Sequence, residues 1–262
     1  MFDLGLLRKP AFVGGLIAAF GVSASIFSLL TYLVLYVQSI LGYSAVEAGL
    51  RFLVFSGAIF VCAAIAGRAT SRVPARLLIG PGFAFVGAGL LLMRGITPES
   101  DWTHLILGFI VAGIGAGLIN VPLASTAVAV VEPARAGMAS GVNSTFRQVG
   151  IATGIATLGS IFAAKVSDSV AAALTSTPVA ARAAELGDAI AGGAAGQAIA
   201  SAPPEARRLV AEAATQGFVD GLNSILLVGA IVAFAAGAAS LALIRERDFV
   251  AAPAGEPVPA AA

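Results

Sequence analysis

Charged residues are scarce in this chain. They make up 11% of its 262 residues, whereas 58% are hydrophobic and the mean hydropathy is +0.96. Soluble domains carry roughly a quarter charged residues, so a water-soluble core could not hide this much apolar surface, and the lipid bilayer must be part of the solvent. The 15 basic and 14 acidic residues nearly balance, which gives no reason to expect a nucleic-acid partner.

Side chains that commonly carry catalysis are almost missing. The single histidine, His104, cannot form a metal cluster by itself, and the single cysteine, Cys62, excludes an intramolecular disulfide. Neither of the two lysines, Lys9 and Lys165, follows a phosphate-binding glycine loop. The sequence therefore predicts no enzyme, no metal site and no cofactor.

Acidic residues are missing from the apolar segments. All fourteen lie in predicted loops, at helix ends or in the tail, and the nearest to a segment are Glu47, Glu132 and Asp220. Proton-coupled transporters usually place an ionisable acid inside the helix bundle. A proton-carrying carboxylate is therefore not expected within the spans of this chain.

Long apolar runs are what the chain has instead. A spanning helix needs about 20 mostly apolar residues. Six segments qualify, at about 12–38, 50–67, 77–93, 104–131, 138–164 and 221–244. The predicted fold is an all-α polytopic membrane protein with five transmembrane helices in 1–164, an extracytoplasmic Ala/Gly-rich segment at 165–220, a sixth helix in 221–247 and a disordered cytoplasmic tail at 248–262.

The segment 165–220 is the one long connection. It is rich in Ala, Ser and Gly, and Pro203 and Pro204 lie near its centre. We expect a solvated loop with fragments of helix. The alternative is a folded extracytoplasmic domain, for whose core few large apolar residues are available. The stretch PEARRLVAEAATQGF favours a short helix, since its charges are spaced for pairs within one helix.

Basic residues predict the orientation in the membrane. Lys and Arg in short loops favour the cytoplasmic side. One set of predicted helix ends carries Arg51 and Arg94. The other set carries more basic residues, namely Arg8, Lys9, Arg68, Arg72, Arg76, Arg135, Arg245 and Arg247. Tyr36, Tyr43 and Trp102 cluster at the less basic ends and suit a membrane interface. With six spans, both termini are predicted to lie in the cytoplasm, with the chain in the cell membrane.

Small residues recur at four-residue spacing. The pairs are Gly113 and Gly117 in the fourth segment, and Gly137 with Gly141 and Gly150 with Gly154 in the fifth. This spacing puts each pair on one helical face and lets a neighbouring backbone approach closely. The pairs either only pack helices tightly or also let carrier helices slide and rock, and the two interpretations are compatible.

Arg147 is the most unusual residue of the fifth segment. It lies ten residues after Gly137, roughly 15 Å along a helix, and so near the middle of a hydrocarbon core about 30 Å thick. A charge facing lipid there costs at least about 2.5–3.5 kcal/mol, so Arg147 should face protein or a wet cavity. It ties helix ends together or reaches the cytoplasmic interface along its aliphatic stem, or it borders a cavity. A shifted boundary of the fifth segment would instead place it in a loop.

Three long stretches resemble a known family. They are LTYLVLYVQSILGYSAVEAGLRFL at 30–53, GRATSRVPAR at 67–76 and GIGAGLINVPLASTAVAVVEPARAGMASGVNSTFRQVG at 113–150. Together they are similar to the major facilitator superfamily, most of all to the last six helices of its fourteen-helix drug–proton antiporter branch, the EmrB/QacA-type multidrug efflux transporters. The resemblance implies a C-terminal half, because full members are roughly twice as long.

The resemblance also implies a function and a set of site residues. The implied function is proton-driven export of amphipathic, often cationic, compounds by alternating access. The implied partners are the lipid bilayer and, once an N-terminal half completes the carrier, the substrate and protons. The polar lining of the cavity would be Gln38, Asn120, Asn143, Arg147 and Gln148. A membrane subunit that transports nothing, or a truncated remnant that packs against partner helices, is the alternative.

The loop GRATSRVPAR resembles the superfamily's cytoplasmic motif, which carries over to Gly67, Arg68, Arg72 and Arg76. The motif's acidic residue would align near Ser71. The arginines act either as topology determinants alone or as a gating contact to a neighbouring helix end.

Overall fold

The computed structural model describes residues 4–70 and 72–245, and the elements in these two ranges are helical. Six helices are long and apolar enough to cross a membrane, which confirms the predicted all-α, six-helix architecture. In chain order the helices are α1 (Pro10–Ile40), α2 (Ala45–Ala69), α3 (Ala75–Leu92), α4 (Ile106–Ala129), α5 (Ala136–Leu174), α6 (Ala183–Ala191), α7 (Ala195–Ser201) and α8 (Arg207–Leu243). The predicted tail at 248–262 lies outside the described residues.

The long helices form two units, α1 to α3 and α4, α5 and α8, whose contacts across the units are alike, and within the second unit α5 also packs on α8. The second helix of each unit packs on the first helix of the other, α2 on α4 and α5 on α1. The third helix of each unit also packs on the first helix of the other, α3 on α4 and α8 on α1. In addition, α3 and α8 pack against each other. As a consequence α2 and α5 lie at the edge of the bundle and are the least buried of the six.

Contacts at the helix ends define the two ends of the bundle. The Lys9 ammonium donates to the Val130 carbonyl oxygen over 2.8 Å, and a Cβ added at Gly14 would meet Leu243 and Ile244. The start of α1 and the ends of α4 and α8 therefore meet at one end, here called the basic end. At the opposite end the Tyr36 hydroxyl donates to the Ser100 carbonyl oxygen over 3.0 Å.

Asn223 fastens the α3–α4 loop to α8 at the opposite end. Its side-chain oxygen accepts from the backbone N–H groups of Gly95, at 2.9 Å, and Ile96, at 3.2 Å. Its amide donates to the Ile96 carbonyl oxygen over 2.8 Å. One side chain thus satisfies three backbone groups of a turn in which Gly95 has a φ of +82°, a value that favours glycine.

An arginine between two aromatic rings joins α2 to the start of α4. The Arg51 guanidinium carbon lies 3.5 Å from the ring centroid of Tyr43 and 5.3 Å from that of Trp102. A capping box between Ser44 and Glu47 starts α2 just before it, with the Ser44 backbone N–H donating to the Glu47 carboxylate over 2.9 Å. Sequence reasoning treated these aromatics as interface residues and missed their contact with Arg51.

The helices on either side of the long connection extend past the predicted limits. α5 continues to Leu174 and α8 begins at Arg207, so 165–174 and 207–220 continue the long helices and do not form a loop. The 39 residues of α5 span about 58 Å at 1.5 Å per residue, well beyond a hydrocarbon core of about 30 Å. The position at which the membrane surface crosses α5 and α8 stays a prediction.

The connection between α5 and α8 is also more packed than predicted. Leu174 on α5, Leu186 and Ile190 on α6, and Val210 on α8 are buried in the main hydrophobic core. The expectation of a solvated loop was wrong for these residues, because short helices can bury small and medium apolar side chains against two long neighbours. The charge pattern in PEARRLVAEAATQGF correctly indicated a helix, in which Arg208 and Glu212 form an ion pair of 2.7 Å.

Candidate functional site

Two of the five predicted polar residues meet directly. The Arg147 guanidinium on α5 donates to the side-chain oxygen of Asn120 on α4 over 2.9 Å. The amide nitrogen of Asn120 donates in turn to the Ala116 carbonyl oxygen one turn earlier, also over 2.9 Å. The backbone of α4 therefore fixes the Asn120 amide with its oxygen toward Arg147.

The surroundings of Arg147 leave its charge without a counter-ion. Its guanidinium carbon lies 5.8 Å from the Phe27 ring centroid on α1, and the side chain is half-buried. Its hydrogen-bond partner Asn120 is a neutral amide, and no carboxylate in 4–70 or 72–245 pairs with it. An amide oxygen stabilises a guanidinium by hydrogen bonding but does not neutralise it, so the site keeps a positive charge that can attract an acceptor.

Asn143 lies one helical turn before Arg147 and is almost fully buried. Only 8% of its surface is exposed, and its side-chain oxygen has no hydrogen-bond partner in the part of the chain that the structure describes. An unpaired buried acceptor costs roughly 1–3 kcal/mol. The oxygen is therefore available to a donor that this chain does not supply, such as water or another molecule.

Gln148 lies on a different face of α5. It is exposed, together with Ser140, Ser144 and Thr145, and the Thr145 hydroxyl donates to the Gly141 carbonyl oxygen within the same helix. Phe146 and Val149 are exposed as well, whereas Gly150 and Gly154 are buried, as the helical pattern predicts. The exposed side of α5 thus mixes polar and apolar groups.

Gln38 is not brought to this cluster. It is half-buried in a π-helical segment, Tyr36–Ile40, at the far end of α1. Phe27, which faces Arg147, precedes Gln38 by eleven residues, or roughly 16 Å along a helix. Of the five predicted lining residues, Asn120, Asn143 and Arg147 lie together near the α4–α5 contact, and Gln38 and Gln148 do not.

The glycine pairs differ in what they contact. A Cβ at Gly113 would lie 2.7 Å from the Phe55 carbonyl oxygen, and one at Gly117 would lie 2.7 Å from that of Ile59, so both face α2. A Cβ at Gly150 would lie 2.6 Å from the Phe20 carbonyl oxygen on α1. Gly137 and Gly141 have nothing within 4 Å of such an atom, so their packing role stays a prediction.

The close approach at Gly150 and Gly154 brings polar groups of α1 onto the α5 backbone. A Cβ at Gly154 would lie 2.8 Å from Ala24. The Ser28 hydroxyl lies 3.2 Å from the Ile151 carbonyl oxygen, and the Tyr32 hydroxyl donates to that of Ile155 over 3.0 Å. A second π-helical segment of α1, Ser23–Phe27, faces this contact, and such segments are frequent at functional sites.

The predicted gating residues lie at the basic end. Gly67 and Arg68 belong to the last turn of α2, Arg72 follows in the connecting turn, and Arg76 lies in the first turn of α3. All three arginines are exposed. Ser71, which takes the place of the motif's acid, lies outside the described residues, so the gating role stays a prediction.

Comparison with known proteins places the chain among membrane transporters. A family model described as Major Facilitator Superfamily matches residues 3–155. The multidrug resistance protein Stp of Mycobacterium tuberculosis is 32% identical over 168 residues, which cover 64% of this chain and 31% of Stp. The multidrug efflux pump LfrA of Mycolicibacterium smegmatis is 27% identical over 240 residues, which cover 91% of this chain and 46% of LfrA. The cephamycin export protein CmcT of Amycolatopsis lactamdurans is 35% identical over 168 residues, covering 63% of this chain and 35% of CmcT.

A solved structure has the same fold. It is the crystal structure of a bacterial homolog to the human lysosomal transporter Spinster, in an inward-facing and unoccupied conformation. The TM-score is 0.58 at 19% identity, and the match covers 94% of this chain and 50% of that one. The chain thus spans about half of that transporter, and less than half of each of the three relatives. These matches confirm the predicted resemblance.

Proposed function

Because the chain belongs to the Major Facilitator Superfamily, we propose that it supplies one six-helix half of a drug efflux carrier that works by alternating access. It is a multi-pass membrane protein, and its relatives Stp and LfrA are described as multidrug resistance and efflux proteins. The chain spans less than half of either relative. The second wall of a central cavity would therefore come from a partner half.

The observation that carries this proposal is the exposed polar side of α5. Ser140, Ser144 and Gln148 are exposed, and the half-buried Arg147 lies beside them. At the depth predicted from the sequence, lipid offers no hydrogen bonds to such groups. We infer that a second half or a water-filled cavity covers them.

The charge of Arg147 indicates what the cavity would hold. Its guanidinium has one neutral partner, Asn120, so other donors of its fork can bind an acceptor on a substrate or a carboxylate on the partner half. The unpaired oxygen of Asn143 would accept from the same molecule or from water. The substrate class we propose is amphipathic small molecules with at least one strong hydrogen-bond acceptor.

Coupling to protons belongs to the same proposal. No carboxylate of this chain falls between Glu47 and Glu99, or between Asp101 and Glu132, along the sequence. Asp168 and Asp220, on α5 and α8, lie beyond the depth that a core of about 30 Å would cover if α5 enters it near Gly137. The proton-carrying acid would therefore be on the partner half, and the basic end would face the cytoplasm.

Reconstitution tests the proposal in two steps. The purified chain alone in liposomes with a pH gradient is expected to move no amphipathic fluorescent dye, because it has no second half to rock against. A fusion of this chain behind the N-terminal half of LfrA is expected to move dye only when the gradient is present.

Two outcomes would contradict the proposal. Gradient-dependent dye movement by the chain alone would show that no second half is needed. A fusion that purifies as a single folded species but moves no dye would instead favour the non-transporting membrane subunit.

A further inference from the structure

A cavity lies between the ends of the long helices and the connection that joins α5 to α8. Its volume is about 540 Å³, and it is lined by α1, α5 and α8 and by the two short helices α6 and α7. We call it the roof pocket, and its lining includes Tyr32, Phe162, Phe218, Ile190, Ile199 and Thr215. Its volume falls in the range of about 300–1,000 Å³ that is typical of small-molecule sites.

Aromatic rings form one side of the roof pocket. The ring centroids of Tyr32 and Phe162 are 5.3 Å apart, and those of Phe162 and Phe218 are 4.9 Å apart with the rings nearly perpendicular. Gly159 lines the pocket beside Tyr32, and a Cβ at this position would lie 2.6 Å from the Tyr32 hydroxyl oxygen. Offset and edge-on contacts between aromatic rings are favourable by about 0.5–1.5 kcal/mol beyond area burial, so this wall suits an aromatic ligand.

The short helices that cover the pocket are fastened at both ends. On α6, Gly187 packs against the Ser167 backbone, and the Ser167 hydroxyl donates to the Asp188 carboxylate over 2.7 Å. At the end of α7, Arg207 donates to the carbonyl oxygens of Ala202, at 3.2 Å, and Ala200, at 3.3 Å. The turn between them needs Gly193, whose φ is +90°. The cover is therefore a preformed part of the fold.

The polar side chains in the pocket are the neutral hydroxyl groups of Tyr32, Ser39 and Thr215. No Asp, Glu, Lys or Arg belongs to its described lining, so a charged ligand would lose hydration without gaining a counter-ion. The hydroxyl protons of Tyr32 and Thr215 are already donated to the carbonyl oxygens of Ile155 and Ala211. Each hydroxyl oxygen keeps lone pairs that can accept from a ligand N–H or O–H.

We propose that the roof pocket binds one uncharged aromatic molecule that carries a hydrogen-bond donor. The site lies within this chain alone and is separate from the cluster around Arg147, so it requires neither a partner half nor transport. The roof pocket suits an uncharged ligand that donates a hydrogen bond, whereas the cluster around Arg147 suits a ligand that accepts one.

The probe that tests this is N-phenyl-1-naphthylamine, an uncharged two-ring compound with one N–H group whose fluorescence rises in apolar surroundings. It is titrated into the purified full chain in detergent. Ala163→Trp fills the pocket, because Ala163 lines it, and is expected to weaken the saturable binding at least roughly tenfold, or about 1.4 kcal/mol. Ala156→Trp is the matched control, since Ala156 is exposed on the same helix and is not part of the lining.

A second pair of variants guards against misfolding of the tryptophan variant. In a Cys62→Ser background, Ala163→Cys and Ala156→Cys are each reacted with a maleimide, with and without saturating probe. The probe is expected to slow the reaction at position 163 and leave that at position 156 unchanged. Tetraphenylphosphonium, an aromatic cation, should neither compete with the probe nor protect position 163.

Three results would overturn the proposal. They are equal probe affinity in the parent chain and in folded Ala163→Trp, absence of protection at position 163, and displacement of the probe by the cation. The liposome experiment on dye transport is independent of all three, so failure of the roof pocket and failure of the efflux function are distinguishable.

Discussion

Arg147 on α5 and Asn120 on α4 are joined by a hydrogen bond of 2.9 Å, from a guanidinium to a neutral amide oxygen. The bond ties together the first two long helices of the second three-helix unit. Because the partner is uncharged, the bond holds the arginine in place and leaves its charge available. A carboxylate at the same position would hold the two helices more tightly and would neutralise the cation.

We expect the two side chains to be energetically coupled in the chain itself. Hydrogen bonds to charged groups contribute about 1.5–3 kcal/mol. Arg147→Met, Asn120→Leu and the double variant, compared by thermal unfolding in detergent, should give a coupling energy in that range. Additive effects of the two substitutions would mean that the bond contributes nothing to stability, and that Arg147 is held by other contacts.

Export by the fused carrier should depend on the shape of the Arg147 side chain as well as on its charge. Arg147→Ala is expected to abolish dye efflux at normal protein level, since it removes the only cation of the polar cluster. Arg147→Lys should restore efflux only partly, because an ammonium cannot reproduce the guanidinium fork. If Arg147→Ala exports dye as well as the parent, the arginine only supports the scaffold.

Two glycines of α5 offer a matched test of helix packing. Gly150→Ala puts a methyl group 2.6 Å from the Phe20 carbonyl oxygen, and such overpacking typically destabilises by about 1–3 kcal/mol. Gly141→Ala meets nothing within 4 Å and gains up to about 1 kcal/mol of helix propensity. Thermal unfolding of the isolated chain should therefore rank Gly141→Ala at or above the parent and Gly150→Ala below it.

A larger substitution at Gly141 tests whether a partner half packs against α5. In the fused carrier, Gly141→Leu should impair transport if the exposed side of α5 packs against that half, although it leaves the isolated chain stable. Unimpaired transport would show that position 141 faces lipid or water.

The orientation of the chain is tested by reporter fusions. A reporter active only in the cytoplasm should give a strong signal when fused at Arg247 and none at Gly196, because the basic end is predicted to face inward. Gly196 lies in α7, on the connection at the opposite end. Equal signals at the two positions would refute the six-span prediction, because one spanning helix, α8, lies between Gly196 and Arg247.

The class of the fold and the identity of the spanning helices follow from composition and local hydrophobic pattern. Runs of about 20 apolar residues with almost no charge have one stable solution in a bilayer, so composition alone predicts helices at nearly the observed places. The small-residue spacings indicated faces of α4 and α5 that could approach a neighbour, and Gly137 with Gly141 has no such neighbour within 4 Å of an added Cβ. Local pattern was enough for the spanning helices, because that property depends on residues close together along the chain.

What those faces meet depends on the packing of the helices against one another. Gly150 faces α1 and Gly141 faces open space, although both belong to the same kind of motif. The pairing of Arg147 with Asn120 joins positions 27 residues apart, and the roof pocket combines α1, α5 and α8 with a connection that composition alone favoured as a loop. These features depend on how helices distant in sequence are placed side by side, and the periodicity of a single helix carries no information about its neighbour.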